Sequence, residues 1–145
     1  MPWWIERSRR IRRHLSRLEV WELERFGRSG LSVISRQHVA VLVTTGRRTG
    51  VERKTPVSVM SYAGGYLIGG GAGGQRATPD WVMNLRADPK ARLVIKRVAR
   101  NVVVEEPSGM DRDQALAAMA TEHPEVHRYE RWSQRRLPLF IARDE

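Results

Sequence analysis

The chain has 145 residues and no cysteine, and its 26 Lys and Arg residues against 16 Asp and Glu residues give a formal net charge of +10. One domain of this length with 41% hydrophobic residues can bury a core. The lack of cysteine excludes a disulfide framework, a thiolate metal site and a cysteine nucleophile. No apolar run approaches the roughly 18 residues of a membrane-spanning helix. We therefore expect a cytoplasmic protein, either soluble or bound peripherally to a membrane.

Residues 1–30 combine eight arginines with apolar residues near helical spacing. Gly27 and Gly30 mark the end of this segment, so an amphipathic basic helix is predicted to end near Phe26. It is either an ordinary packed helix with a solvated basic face, or a segment (residues 3–26) that lies on the anionic inner face of the cell membrane or covers a pocket. Both interpretations stay open.

From residue 39 onward the sequence is typical of a β protein. Short runs rich in β-branched residues predict strands over 39–45, 55–62, 66–68, 91–98, 101–105 and 137–142. Thr78-Pro79-Asp80 has the composition of a helix start, with Thr78 as the cap, and two further helices are expected over 111–121 and 125–133. Six short strands with few helices predict an α+β protein, mainly β, with one small antiparallel barrel over residues 31–145.

The first candidate binding motif is the turn Gly46-Arg47-Arg48-Thr49-Gly50, with Arg53-Lys54 close behind it. Arginine has a planar set of donors that suits phosphate and carboxylate, and the amides of a tight turn can add to an anion site. The spacing does not fit a Walker loop, because Lys54 does not follow a glycine. The motif therefore indicates either an anion site or a solvated basic hairpin.

The second candidate is the run Gly69-Gly70-Gly71-Ala72-Gly73-Gly74. The missing side chains allow a flat ligand to approach the main chain, although a flexible loop has the same composition. Conventional catalytic groups are scarce: His123 and His127, four positions apart around Pro124, are only a weak indication of a metal site, and there is no nucleophile elbow or dinucleotide fingerprint. If the protein is an enzyme, a cofactor is expected to supply its reactivity.

Further motifs follow in order: Pro79-Asp80-Trp81-Val82-Met83-Asn84-Leu85 in a short helix, Tyr129 in a later one, and Arg136-Leu137-Pro138-Leu139 before the last strand. Together with Leu42 to Val57 and Gly73-Gly74, this series resembles the deazaflavin-dependent nitroreductase family of actinobacteria. The resemblance runs from about Val39 to Ile141. It implies a split β-barrel oxidoreductase that binds reduced coenzyme F420 and transfers its hydride to a quinone, a nitroaromatic compound or another electron-poor acceptor.

The resemblance also implies roles for individual residues. Arg47, Arg48, Thr49, Arg53 and Lys54 would hold the phosphate and glutamate tail of the coenzyme. The groove around the coenzyme would be lined by Thr55, Pro56, Val57 and Ser58. The deazaflavin would lie between Gly69, Gly70, Gly71, Ala72, Gly73 and Gly74 on one side and Asp80, Trp81, Val82, Met83 and Asn84 on the other. Tyr129 and Trp132 would border the acceptor site, where Tyr129 or solvent would supply a proton.

Three other classes of protein remain open. A related barrel could bind flavin mononucleotide (FMN), whose tail is shorter and less acidic and needs fewer cations. A non-catalytic cofactor carrier is the second class. The third is a basic nucleic-acid-binding module, which the charge permits, although the aromatic residues are not interleaved with bases as in a stacking platform.

Overall fold

The computed structural model describes residues 17–26, 39–70, 78–124, 126–133 and 136–145. The strands in these residues are β1 (Val39–Thr45), β2 (Glu52–Tyr62), β3 (Gly65–Gly69), β4 (Lys90–Ile95), β5 (Val98–Glu105) and β6 (Leu139–Asp144). The helices are α1 (17–26), α2 (Asp80–Ala87), α3 (Gly109–Glu122) and α4 (Val126–Ser133).

The six strands form a closed antiparallel barrel in the order β1-β2-β3-β6-β5-β4. Closure occurs where β1 pairs with β4, with Leu42 opposite Leu93 and Val43 opposite Arg92. This confirms the small antiparallel barrel and the α+β class predicted from the strand pattern. The antiparallel register also places the β1–β2 turn and the β4–β5 turn at opposite ends of the barrel.

Strand β1 is buried on both faces, which explains its continuous apolar sequence. Leu42 points into the barrel core, while Val41 and Val43 pack on the outside against Val20 and Leu23 of α1. All five side chains are less than 9% exposed. Helix α1 therefore covers one wall of the barrel, and its packing agrees with the packed-helix interpretation for the described part of the segment. The expected residues 3–16 of this helix lie outside the described residues.

The interior of the barrel is apolar and is closed at one end by α2. Trp81, Val82 and Leu85 of α2 belong to the same buried cluster as Phe140 and Leu93. The rings of Trp81 and Phe140 meet edge to face, with centroids 5.7 Å apart. Each large apolar side chain buried here contributes about 1.5–3 kcal/mol. Helix α2 is thus held firmly against the barrel, next to the β1–β2 turn.

Two details of the predicted elements are corrected. Helix α2 is capped by Pro79, without a side-chain hydrogen bond at the cap, so the predicted role of Thr78 as the cap is wrong. The predicted strand 91–98 ends at Ile95, because Lys96 and Arg97 adopt positive φ angles of 48° and 70° and turn the chain into β5. That turn contains no glycine or proline, so the sequence carried no conventional signal for it.

Among the described residues, no helix combines the length and the apolar character needed to cross a membrane.

Candidate functional site

The β1–β2 turn is tight and has glycine at both ends. The Gly46 amide donates to the Val51 carbonyl and the Gly50 amide donates to the Gly46 carbonyl, each at 2.8 Å. A Cβ atom at Gly46 would lie 2.9 Å from the Val51 oxygen, and Gly50 has a φ of +70°. Glycine is therefore needed at position 46 for space and is favoured at position 50 by the backbone conformation.

Four of the main-chain amides at this turn already donate hydrogen bonds, three within the turn and one to α2. In addition to Gly46 and Gly50, the Val51 amide donates to Thr49 Oγ1 at 3.3 Å, and the Arg47 amide donates to Asn84 Oδ1 at 3.2 Å. An anion at this turn would consequently be bound by side-chain cations rather than by a nest of several free amides.

Four cations lie on this turn and on the strand that leaves it. Arg47 and Arg48 are in the turn, while Arg53 and Lys54 are in β2, opposite Thr44 and Val43 of β1. Within the described part of the chain, Arg48 and Arg53 form no side-chain hydrogen bond or ion pair, and both residues are exposed. The structure thus brings the predicted anion-binding residues to one end of the barrel and leaves two guanidinium groups open to solvent.

Arg47 is fixed by two residues of α2. Its Nη1 and Nη2 atoms both lie 3.3 Å from Asp80 Oδ1, and Nη1 also donates to Asn84 Oδ1 at 3.2 Å. The Arg47 side chain is 25% exposed, whereas that of Asp80 is 87% exposed. The Asp80 carboxylate therefore holds the guanidinium on its solvent side.

Lys54 is held by a carboxylate of α1. Its Nζ atom lies 2.5 Å from Glu24 Oε1, with both side chains about 40% exposed. Nothing in the local sequence pairs these residues, which are 30 positions apart. Glu24 thus joins α1 to the basic turn region, a contact that sequence analysis did not identify.

The predicted groove residues of β2 differ in burial. Val57 belongs to the core of the barrel and is 2% exposed, so only its main chain is available to a ligand outside. Thr55, Pro56 and Ser58 are half-buried. On α2, Trp81 and Val82 are likewise core residues, while Met83 is 37% exposed.

The beginning of the glycine run lies next to α2 and β6. A Cβ atom at Gly69 would approach the Pro138 oxygen to 3.1 Å, and one at Gly70 would lie 3.7 Å from Trp81 Cζ2. Close packing thus accounts for glycine at position 69. The predicted ligand contacts of Gly71, Ala72, Gly73 and Gly74 lie outside the described residues.

The two predicted acceptor-site residues, Tyr129 and Trp132, lie in α4. This helix is anchored by Glu130, whose Oε1 accepts hydrogen bonds from Arg112 Nη2 and from the Leu137 amide, both at 2.9 Å. Arg112 also donates to the Leu137 carbonyl at 3.0 Å. The arrangement ties α3, α4 and the approach to β6 together and so fixes the backbone that carries both residues.

A cavity of about 440 Å³ is lined by Val82 and Arg86 of α2, whereas the turn contacts Asp80 and Asn84 of the same helix. Two of its arginines already have carboxylate partners: Arg86 donates to both oxygens of Glu106, at 2.7 and 2.9 Å, and Arg112 is bound to Glu130. The hydrogen bond from Arg86 lowers the pKa of Glu106 below its ordinary value. This cavity therefore offers less unpaired positive charge than the turn.

No group of three or more metal-ligating side chains occurs among the residues that the structure describes.

The family model for F420H(2)-dependent quinone reductases matches residues 15–144. The chain belongs to this family. Its members are oxidoreductases that use reduced coenzyme F420, so the protein is an F420H2-dependent reductase, as the resemblance implied.

Solved structures support the fold. An F420-H2 dependent reductase (FDR-A) matches with a TM-score of 0.65 and 23% identity, covering 72% of this chain and 93% of that one. A protein described as a domain-swapped dimer matches with a TM-score of 0.66 and 21% identity, covering 97% of both chains. The haem storage protein HutZ from Vibrio cholerae matches with a TM-score of 0.57 and 14% identity, covering 86% of this chain and 88% of its own. Because a haem protein has a similar barrel, the fold alone does not choose the cofactor.

Proposed function

We propose that this reductase transfers a hydride from reduced coenzyme F420 to a quinone-like, nitroaromatic or other electron-poor acceptor, and that the coenzyme tail binds at the β1–β2 turn. The observation that carries the proposal is that Arg48, on the same turn as the fixed Arg47, and Arg53, on the strand that follows it, are exposed and have no carboxylate partner among the described residues. A phosphodiester followed by glutamates supplies several anions along one chain, which suits several cations on one turn.

The charges of this region fit such a tail. The cations of the turn and β2 outnumber the carboxylates that contact them, which are Asp80 on Arg47 and Glu24 on Lys54. Both contacts are at least partly exposed, so an incoming anion can displace or share them at modest cost. The less acidic tail of FMN would leave more of these cations unused, which favours the deazaflavin coenzyme.

The chain's other residues would position the reacting partners. We assign the groove to the half-buried side chains of Thr55, Pro56 and Ser58 and to the main chain at Val57. The glycine run and the exposed edge of α2 would border the ring, and Tyr129 and Trp132 would border the acceptor. When bound, the reduced deazaflavin supplies the hydride; the protein's contribution is orientation and partial exclusion of water.

The tail assignment is tested by titrating F420 into the wild type, Arg48→Ala and Arg53→Ala. Arg97→Ala is the matched control, because Arg97 is also exposed but lies at the opposite end of the barrel. We expect each turn variant to bind about tenfold more weakly, with a smaller dependence on salt, and the control to bind normally. Unchanged affinity in both turn variants would remove the tail assignment.

The acceptor is tested by following oxidation of the reduced coenzyme in the presence of menaquinone-like, nitroaromatic and unsaturated cyclic compounds. Turnover with a quinone supports the proposal. Coenzyme that binds tightly but is not oxidised by any acceptor class would instead identify a cofactor carrier. Tighter binding of FMN than of F420, or retention of nucleic acid at near-physiological salt, would favour the corresponding alternative.

We also propose that residues 3–26 contact an anionic membrane surface, where a lipophilic quinone would be found. Support comes from the outer side of α1, where Leu18, Trp21 and Phe26 are 53%, 55% and 60% exposed, while Arg17 and Arg25 are exposed nearby. In a sedimentation assay, the wild type should pellet with phosphatidylglycerol vesicles, whereas a Trp21→Ser, Phe26→Ser double variant should stay in the supernatant. Met110→Ser, which changes an exposed apolar residue of α3, is the control. Equal sedimentation of all three proteins would contradict the proposal.

A further inference from the structure

Asn84 is a buried polar residue next to the basic turn, and its contacts suggest a role that differs from bordering the ring. We propose that Asn84 is a positioning residue: its carboxamide fixes both the main chain and the guanidinium of Arg47, so that this cation is already oriented when the coenzyme tail arrives. The inference rests on the proposed function, because it concerns the same tail site.

Both polar atoms of the Asn84 carboxamide form hydrogen bonds. Its Oδ1 accepts from the Arg47 amide and from Arg47 Nη1, both at 3.2 Å, and its Nδ2 donates to Thr44 Oγ1 at 3.1 Å. Asn84 is 3% exposed and Thr44 is 2% exposed. One carboxamide therefore links α2 to the end of β1 and to both the main chain and the guanidinium of Arg47.

These contacts also set the orientation of the amide. If the carboxamide were flipped, its NH2 group would face two N–H donors of Arg47, which would leave the Arg47 amide without an acceptor and the guanidinium bonded only to Asp80. Oxygen must therefore face Arg47, and the NH2 group is left for the Thr44 hydroxyl. Because Trp81, Val82 and Leu85 lock α2 into the core, this orientation is tied to a rigid part of the barrel.

Asn84 and Asp80 hold Arg47 in different ways. Asp80 is an exposed anion that an incoming phosphate or carboxylate would compete with directly. Asn84 is neutral and buried, so its bonds to Arg47 can persist when an anion binds. A side chain that is ordered before binding loses less conformational entropy on binding, which strengthens recognition of the tail.

Orientation of Arg47 matters only for a ligand that has a tail. The readout is therefore the tail advantage, defined as the affinity for F420 divided by the affinity for the same deazaflavin lacking phosphate and glutamates. A general folding defect would weaken the binding of both ligands and leave their ratio unchanged, whereas loss of positioning would lower the ratio itself.

The experiment compares the wild type with Asn84→Ala, Asn84→Asp and Asn101→Ala. Asn101 is the control because it is the other asparagine of the chain and is exposed on β5. Besides the two affinities, hydrogen exchange of the Arg47 amide is measured by NMR in the ligand-free protein. For Asn84→Ala we expect exchange at Arg47 to be about tenfold faster and the tail advantage to fall about tenfold or more.

The Asn84→Asp variant distinguishes the ordering of Arg47 from the charge beside its guanidinium. It also keeps the test valid if Asn84→Ala folds poorly. A carboxylate can accept the same bonds, so the Arg47 amide should stay protected, while the added negative charge beside the guanidinium should still lower the tail advantage. Asn101→Ala should resemble the wild type in both measurements.

The outcomes distinguish this inference from the proposed function. A wild-type tail advantage that persists in Asn84→Ala, or an Arg47 amide that exchanges equally in both proteins, would overturn the positioning role alone. A wild type with no tail advantage would overturn the tail site itself, and the positioning role with it.

Discussion

Replacing Asp80 by asparagine should tighten coenzyme binding, although Asp80 belongs to the motif that resembles a cofactor-binding segment. In the structure its Oδ1 atom lies 3.3 Å from both terminal nitrogens of Arg47, and its side chain is 87% exposed. The carboxylate therefore occupies the solvent side of a cation that we assign to the tail. An anion that binds Arg47 must share that cation with Asp80.

The size of the effect follows from the distance and the exposure. Two unit charges 3.3 Å apart attract by about 1.3 kcal/mol in bulk water. Screening by salt and the cost of ordering both side chains reduce the net value of an exposed pair to about 1 kcal/mol or less. Removing the charge should thus raise the affinity for F420 by up to about fivefold, since about 1.4 kcal/mol corresponds to a factor of ten.

This effect is measured by equilibrium titration of F420, followed by its fluorescence. The titration is done at low salt and at about 1 M salt, where the Debye length is only about 3 Å. The gain for Asp80→Asn should shrink at high salt. Asp113→Asn is the control, because it removes the same charge from an exposed position on α3. Weaker binding by Asp80→Asn would refute the competition and indicate that Asp80 contacts the coenzyme. An equal gain in the control would indicate an effect of net charge only.

Three further changes test the framework around the site. Gly46→Ala should destabilise the turn and weaken tail binding, because its Cβ would lie 2.9 Å from the rigid Val51 carbonyl oxygen; thermal melting and titration measure the two effects. Because the pKa of Glu106 is lowered, its pair with Arg86 stabilises the fold at pH values above the ordinary glutamate pKa of 4.5. This stabilisation is lost as the pH falls through the lowered pKa. Because the pair is partly exposed, Glu106→Gln should lower the free energy of unfolding by only about 0.5 kcal/mol in denaturant titrations at pH 7, and by less at pH 3. Leu93→Ala should cost about 2–5 kcal/mol in the free energy of unfolding, since Leu93 is completely buried in the barrel; a loss below about 1 kcal/mol would contradict the packing described.

The sequence predicted the barrel well because its strands and turns have local signals. Strand β1 is a short apolar run, and the β1–β2 turn is bracketed by Gly46 and Gly50. The turn at Lys96 and Arg97 was misplaced, since its positive φ angles occur in residues that rarely adopt them. Local composition carries no information about such a conformation when pairing of the flanking strands imposes it.

The site was predicted only in part, for a similar reason. The cations of the turn are adjacent in sequence, so their clustering could be read directly. The burial of Asn84 depends on α2 packing beside Thr44, which is 40 residues away, and the contact of Lys54 with Glu24 depends on where α1 packs. The assignment of Tyr129 and Trp132 to the acceptor site stays a prediction.

The double-sided burial of β1 limits how the amino-terminal segment can be studied. A truncation that removes α1 would delete the outer face of the helix and at the same time expose Val41 and Val43 of β1, and the shortened protein would be prone to associate through this strand surface. Vesicle binding by such a fragment would then reflect apolar strand surface that is buried in the native protein rather than the native surface of α1. Paired point substitutions at Trp21 and Phe26 leave the inner contacts intact, and they are the changes from which a membrane role can be judged.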